Sequence, residues 1–244
     1  MTPAFGTLRV FDDAAALAQG GATFLCERAE AQATGFTVCL SGGSTPRRLY
    51  KVLATSPLLE RFPWGRTQFA FGDERFVPPD DPASNARMAT EAMFSRAPVP
   101  PENVHIVPTV GMTPDQAAAE YERTLKTLHG GHAPTLAQPL FDVCFLGVGD
   151  NGHTASLLPN EAVLEVRDRW VGVVAHGRPE TRITLTYPAL ESSRSVVFLV
   201  QGEGKRAILD RLLSGDETVP AGRLRAGGDV FWFTDRAAAG RWAG

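Results

Sequence analysis

Apolar residues in this chain fall into short runs, each ended by glycine, serine or a charged cluster, with longer stretches of helical spacing between them. The runs predict strands at Thr7 to Phe11, Phe36 to Leu40, Thr67 to Phe71, Phe141 to Leu146, Trp170 to Ala175, Ser195 to Val200 and Asp229 to Phe233. A short edge strand is expected at Val104 to Val107, and Arg182 to Thr186 alternates like a half-exposed strand. Val143, Cys144, Phe145 and Leu146 are apolar in succession, the pattern of a parallel strand covered on both faces.

The intervening stretches predict helices. An alanine-rich one opens at Asp12 as cap, and a second runs from Arg47 to Ala54 with Pro46 at its first position and Ser44 or Thr45 as cap. Ser84-Asn85 introduce a third, where capping accounts for both residues, and Thr113-Pro114-Asp115-Gln116 opens a fourth with a capping box. Ile208, Leu209, Leu212 and Leu213 mark the apolar face of a fifth, and Asp235 caps a short last helix. Strand and helix alternate without linker or repeat, so residues 1–244 are expected to form one α/β domain around a single mostly parallel sheet.

At 244 residues and 43% hydrophobic content the chain can bury a full core, and a net charge of -3 gives no basic excess for nucleic acid. No apolar run is long enough to span a bilayer and the N-terminus lacks a secretory pattern, so a cytoplasmic protein without a membrane partner is expected. Cys26, Cys39 and Cys144 have no CxxC or CxxH spacing, which leaves them as core residues and gives no structural metal site.

Chemistry concentrates at strand ends. Phe141 to Leu146 runs into Gly147-Val148-Gly149-Asp150-Asn151-Gly152, and His153 follows at the edge where open α/β sheets bind ligands. The glycines match GxGxxG, but Pro159 cuts short any dinucleotide-binding helix and no acidic residue ends the next strand, so a nucleotide site is disfavoured. Ser41-Gly42-Gly43-Ser44-Thr45 joins the second strand to a helix start. Its hydroxyls and backbone N–H groups make an anion cradle, although an ordinary turn has the same residues.

Asp73-Glu74-Arg75 ends the third strand with three charges that need solvent, internal ion pairs or a ligand, and Arg75 suits a phosphate or carboxylate. Lys205, at a helix start where a cation is disfavoured, is either simply exposed or close to an anion. His129 and His132 fall at the exit of the fourth helix, where a polar or cationic residue complements the dipole, His105 and His176 have no partner in sequence, and all four read as structural. A small anionic molecule would then span from the Ser41–Thr45 loop to His153.

In this order, LSGGSTP (Leu40 to Pro46), GDERFVPPDDPASN (Gly72 to Asn85), GVGDNGHTASLLP (Gly147 to Pro159), RITLT (Arg182 to Thr186) and GEGK (Gly202 to Lys205) resemble the 6-phosphogluconolactonase family. The resemblance implies a Rossmann-like three-layer α/β/α sandwich and hydrolysis of 6-phospho-D-glucono-1,5-lactone in the oxidative pentose phosphate pathway, without metal or cofactor. It places the general base on His153 and substrate binding on Ser41, Gly42, Gly43, Ser44, Thr45, Asp73 and Arg75, aided by Arg182 and Lys205. A monomer or weak homo-oligomer is expected. Asn151 stands where the family usually has an aspartate, with a carboxylate one place earlier at Asp150; an amide can orient the imidazole but cannot stabilise its charged form. A related deaminase would carry an Asn-Glu pair within the segment that here reads Ser156-Leu157-Leu158-Pro159.

Overall fold

The computed structural model describes residues 2–131, 134–135 and 137–244. Among the described residues nine strands form two sheets. β1 (Thr7–Phe11), β2 (Phe36–Leu40), β3 (Thr67–Phe71), β5 (Val143–Gly147), β8 (Ser195–Val200) and β9 (Asp229–Asp235) make a six-stranded sheet in the order β1-β9-β8-β5-β2-β3, with every pair parallel. β4 (Asp73–Arg75), β6 (Val171–Val174) and β7 (Arg182–Leu185) form a separate antiparallel sheet in the order β4-β7-β6.

The parallel sheet follows from its unbroken apolar strands. Val143 and Phe145 enter one core with Val197 and Leu199, whereas Cys144 and Leu146 enter the other with Val196 and Phe198. Helices Ala14–Glu30 and Ser44–Leu53 close the first face. Helices Pro114–Leu128 and Arg206–Leu213 close the second together with the small sheet, giving three layers. Phe198 stacks on Trp232 with ring centroids 4.2 Å apart, adding about 0.5–1.5 kcal/mol beyond simple burial. The three cysteines are buried and free, as core residues. Among the described residues no helix is long and apolar enough to cross a membrane.

Several expectations are corrected. The single sheet becomes two, and Arg182–Leu185 is not half-exposed, because β7 is the middle strand of the small sheet and its Ile183, Thr184 and Leu185 are buried. Val104 makes only an isolated bridge to Phe69 rather than opening a strand. Asp13, not Asp12, caps the first helix, accepting from the Ala15 and Ala16 N–H groups. The second helix begins at Ser44 behind Gly43, whose φ of 107° only glycine adopts readily, so neither Ser44 nor Thr45 caps it and Pro46 sits third. Thr113 and Gln116 form the expected capping box.

The topology makes the cleft. From β2 the chain steps outward to β3 and later returns on the opposite side of β2 as β5, so the connections after β2 and β5 diverge. A crevice opens outside the carboxyl ends of these two neighbours, as at other switch points of open α/β sheets.

Candidate active site

The crevice is a cleft of about 410 Å³. Ser41 to Pro46 line one wall and Gly147, Gly149 and His153 another; Asp73, Arg75, Arg178, Arg182, Gln201 and Lys205 complete it. His153 and the Ser41–Thr45 loop, set apart by over a hundred residues of sequence, therefore share one cavity.

The Ser41–Thr45 wall is held from behind. The Tyr50 hydroxyl accepts from the Ser41 N–H and donates to the Ser41 carbonyl, each at 2.9 Å. Gly43 at the cap position has no side chain to bond the first-turn N–H groups, which form the positive end of the helix dipole. Gly42 permits close packing, since a Cβ there would lie 2.0 Å from Asn85 Oδ1.

The small sheet supplies two of the cations, Arg75 and Arg182. In the antiparallel register Arg75 lies directly opposite Arg182. Both Nε atoms are buried without a partner, although Arg75 donates through Nη1 to the Ala83 carbonyl and Arg182 pairs with Glu180 at 3.3 Å. Burial and the Arg75 charge lower the Arg182 pKa, the signature of a guanidinium short of negative charge.

Asp73, expected to bind substrate, lines the cleft with its carboxylate already engaged. Its Oδ2 accepts from Ser156 Oγ at 2.7 Å and its Oδ1 from Asn85 Nδ2 at 3.2 Å, while Arg182 stands 4.0 Å away. Glu74 is neither solvated nor in the cleft. It is 2% exposed and accepts from the Arg75, Asn85 and Ala86 N–H groups and the Ser84 hydroxyl. Burial raises its pKa, against the pull of those N–H groups.

His153 follows β5 on a turn, not on a helix, which removes the dinucleotide reading. Its ring packs onto Gly149, where a Cβ would fall 1.9 Å from Cε1. Asn151 Oδ1 lies 2.6 Å from His153 Nδ1 and accepts from the His153 backbone N–H at 3.2 Å, which identifies it as an acceptor, so the ring proton sits on Nδ1 and Nε2 keeps its lone pair. Burial first, then the Arg178 charge, depress the His153 pKa to about 4, with Lys205 and Arg182 acting in the same direction and Asp73 against. Asp150 does not reach the ring: it pairs with Lys205 at 2.5 Å, which lowers the Asp150 pKa. Lys205 thus has its anion within the protein. Its turn is fixed by Asp235, which accepts from the Gly202 N–H at 3.0 Å.

The other described histidines do not line the cleft. His105 bonds Gln68 at 2.7 Å, His129 bonds the Gln138 carbonyl and meets Trp170 edge-on, His176 is exposed, and His132 lies outside the described residues. Among the described residues no group of three His, Cys, Asp or Glu side chains is arranged to hold a metal ion.

Residues 12–232 match the family model described as glucosamine-6-phosphate isomerases/6-phosphogluconolactonase. The chain belongs to this family. It is 40% identical over 206 residues to a 6-phosphogluconolactonase of Nostoc sp., covering 83% of each chain. Its structure resembles that of 6-phosphogluconolactonase from Thermotoga maritima, with a TM-score of 0.79 and 31% identity over 94% of this chain and 99% of that one. It likewise resembles 6-phosphogluconolactonase from Trypanosoma cruzi, with a TM-score of 0.85 and 27% identity over 100% of this chain and 99% of that one.

Within this family frame three cleft residues escape sequence reasoning. Arg178 sits in a polar loop with no local pattern to mark it, yet it reaches the His153 ring. Asn85 looks like a helix-start residue but also holds Asp73. Gln201, just past β8, lines the cleft with a buried Oε1 that has no partner. The one available signal was position, since Gln201 ends an apolar strand as Ser41 and Gly147 do.

Proposed function

We propose that this chain hydrolyses 6-phospho-D-glucono-1,5-lactone to 6-phospho-D-gluconate, the lactone-opening step of the oxidative pentose phosphate pathway. The observation that carries the reading is the shared cleft: an imidazole with an open lone pair and an anion cradle face the same cavity. The phosphate is taken by the Ser41–Thr45 loop with Arg75 and Arg182, whose buried, unpartnered N–H groups suit a dianion. Lys205 adds positive charge to the same cleft, and Asp73 positions Ser156 and Asn85 rather than the substrate.

A lactone is an activated ester, so no covalent nucleophile is required. His153 Nε2 removes a proton from water as its oxygen adds to the carbonyl carbon, and the carbonyl oxygen becomes an oxyanion. Collapse breaks the bond from that carbon to the ring oxygen, which takes the proton back from the imidazolium; the new acid then loses a proton to solvent. A low pKa makes His153 a weak base but a strong conjugate acid, which favours delivery to the departing oxygen. Asn151 keeps the tautomer that leaves Nε2 available. Binding of the remote phosphate holds the carbonyl against the water.

The test is lactone hydrolysis above the spontaneous rate with freshly generated substrate. Replacing His153→Ala is expected to lower kcat by roughly 10²–10⁴-fold, the usual worth of a positioned base, with 6-phosphogluconate binding retained. Unchanged turnover removes His153 from the role. Ammonia release from glucosamine 6-phosphate tests the deaminase alternative, which is disfavoured because Ser156, Leu157 and Leu158 are buried and carry no acid.

A further inference from the structure

Among the described residues Arg178 is the one cleft cation whose side chain bonds neither a carboxylate nor a backbone carbonyl: Arg182 has Glu180, Lys205 has Asp150, and Arg75 donates to the Ala83 carbonyl. Its contacts are to His153 instead, with Nη2 at 3.2 Å from Nδ1 and 3.3 Å from Nε2. A nitrogen almost equidistant from both ring nitrogens lies over the face of the imidazole, because approach along either in-plane lone pair would bring it near one nitrogen and far from the other. Nδ1 is in any case committed to Asn151.

Two consequences follow. A cation over the ring face is attracted by a neutral imidazole and repelled by an imidazolium, so the contact selects the neutral ring. It also leaves the in-plane lone pair of Nε2 open to the cleft. The guanidinium carries further N–H donors with no partner among the described residues, within a side chain's reach of any carbonyl that Nε2 could hydrate.

We propose that Arg178 is a second catalytic residue of the lactone reaction, holding His153 neutral from above its ring and donating to the carbonyl oxygen as that oxygen gains negative charge. The proposal rests on the lactonase reading above and adds the group that reading lacks, a donor for the oxyanion. Electrons move from the water oxygen into the carbonyl carbon and from the carbonyl π bond onto its oxygen, where Arg178 meets the charge. The imidazolium formed in the same step lies beneath the guanidinium, and their repulsion drives its proton onto the leaving ring oxygen.

The charged groups that set the charge state of His153 are Arg178 from the β6–β7 loop, Asp73 from β4, Lys205 from the turn after β8 and Arg182 from β7, while Asp150 on its own loop is taken up by Lys205. Removing Arg178 alone takes away one of three cations that oppose protonation while leaving Asp73, which favours it.

The experiment compares wild type, Arg178→Ala and Arg178→Lys in lactone hydrolysis across pH, with His153→Ala alongside. Arg178→Ala is expected to lose roughly 10²-fold in kcat, the scale of a missing oxyanion donor, and to move the acid limb of kcat/KM to higher pH. Arg178→Lys is expected to hold the acid limb near its wild-type position and recover part of kcat, since it keeps the charge without the planar fork. An unchanged kcat in Arg178→Ala, or an acid limb that stays in place, overturns the proposal. Failure of the underlying reading is a separate result, because wild type itself would then not open the lactone faster than water does.

Discussion

At the level of single residues the site depends on which form of His153 is present. Asn151 stands beside Nδ1 where a carboxylate would stabilise the imidazolium, and burial with Arg178 pulls the pKa to about 4. Asn151→Asp should therefore raise that pKa and shift the acid limb of kcat/KM to higher pH; a limb that does not move would show that the amide and the acid act alike. The same depression is a stability term. The unfolded chain, with a histidine pKa of about 6.5, takes up the proton first as pH falls. The contribution of neutral His153 is thus complete above about pH 6.5 and is lost as pH falls toward the folded value of about 4.

Among elements, the short β4 has the largest effect for its length. Asp73, Glu74 and Arg75 are all charged, and a strand of three charged residues carries no apolar periodicity to reveal it. Pairing with β7 places Arg75 opposite Arg182, and the carboxylate of Glu74 gathers the start of the helix at Asn85. Glu74→Ala would leave the Asn85 and Ala86 N–H groups and the Ser84 hydroxyl without their acceptor, which should cost about 1–3 kcal/mol in denaturant unfolding. Weaker substrate binding should accompany it, because Asn85 packs against Gly42 and holds Asp73. A variant with unchanged unfolding midpoint would mean that solvent replaces those bonds without penalty.

For the whole molecule the charge is unevenly placed. A chain of net charge -3 lines one cleft with Arg75, Arg178, Arg182 and Lys205, against one carboxylate, Asp73, among the described lining residues. That field attracts a dianionic sugar phosphate and is screened by salt, so KM for the phosphorylated lactone should rise with ionic strength while kcat changes little. Glucono-1,5-lactone, which lacks the phosphate, should show much lower kcat/KM and little salt dependence. Equal salt sensitivity for both lactones would place the effect outside phosphate binding.

Local pattern was enough to locate the six parallel strands, most helix starts and the loops after β2 and β5, because burial on both faces, capping and tight turns each impose a residue type on a particular position. The ordered motifs were enough to suggest the family. Contacts made at a distance left no such mark: β4 joining β7 in its own sheet, Asn85 reaching back to Asp73, and Arg178 lying on the His153 ring. Nor could the protonation of His153 be read from its neighbours in sequence, since desolvation and the charges that shift it come from β4, β7, the β6–β7 loop and the turn after β8. A residue's backbone preferences travel with it along the chain, but its electrostatic surroundings exist only once the chain has folded.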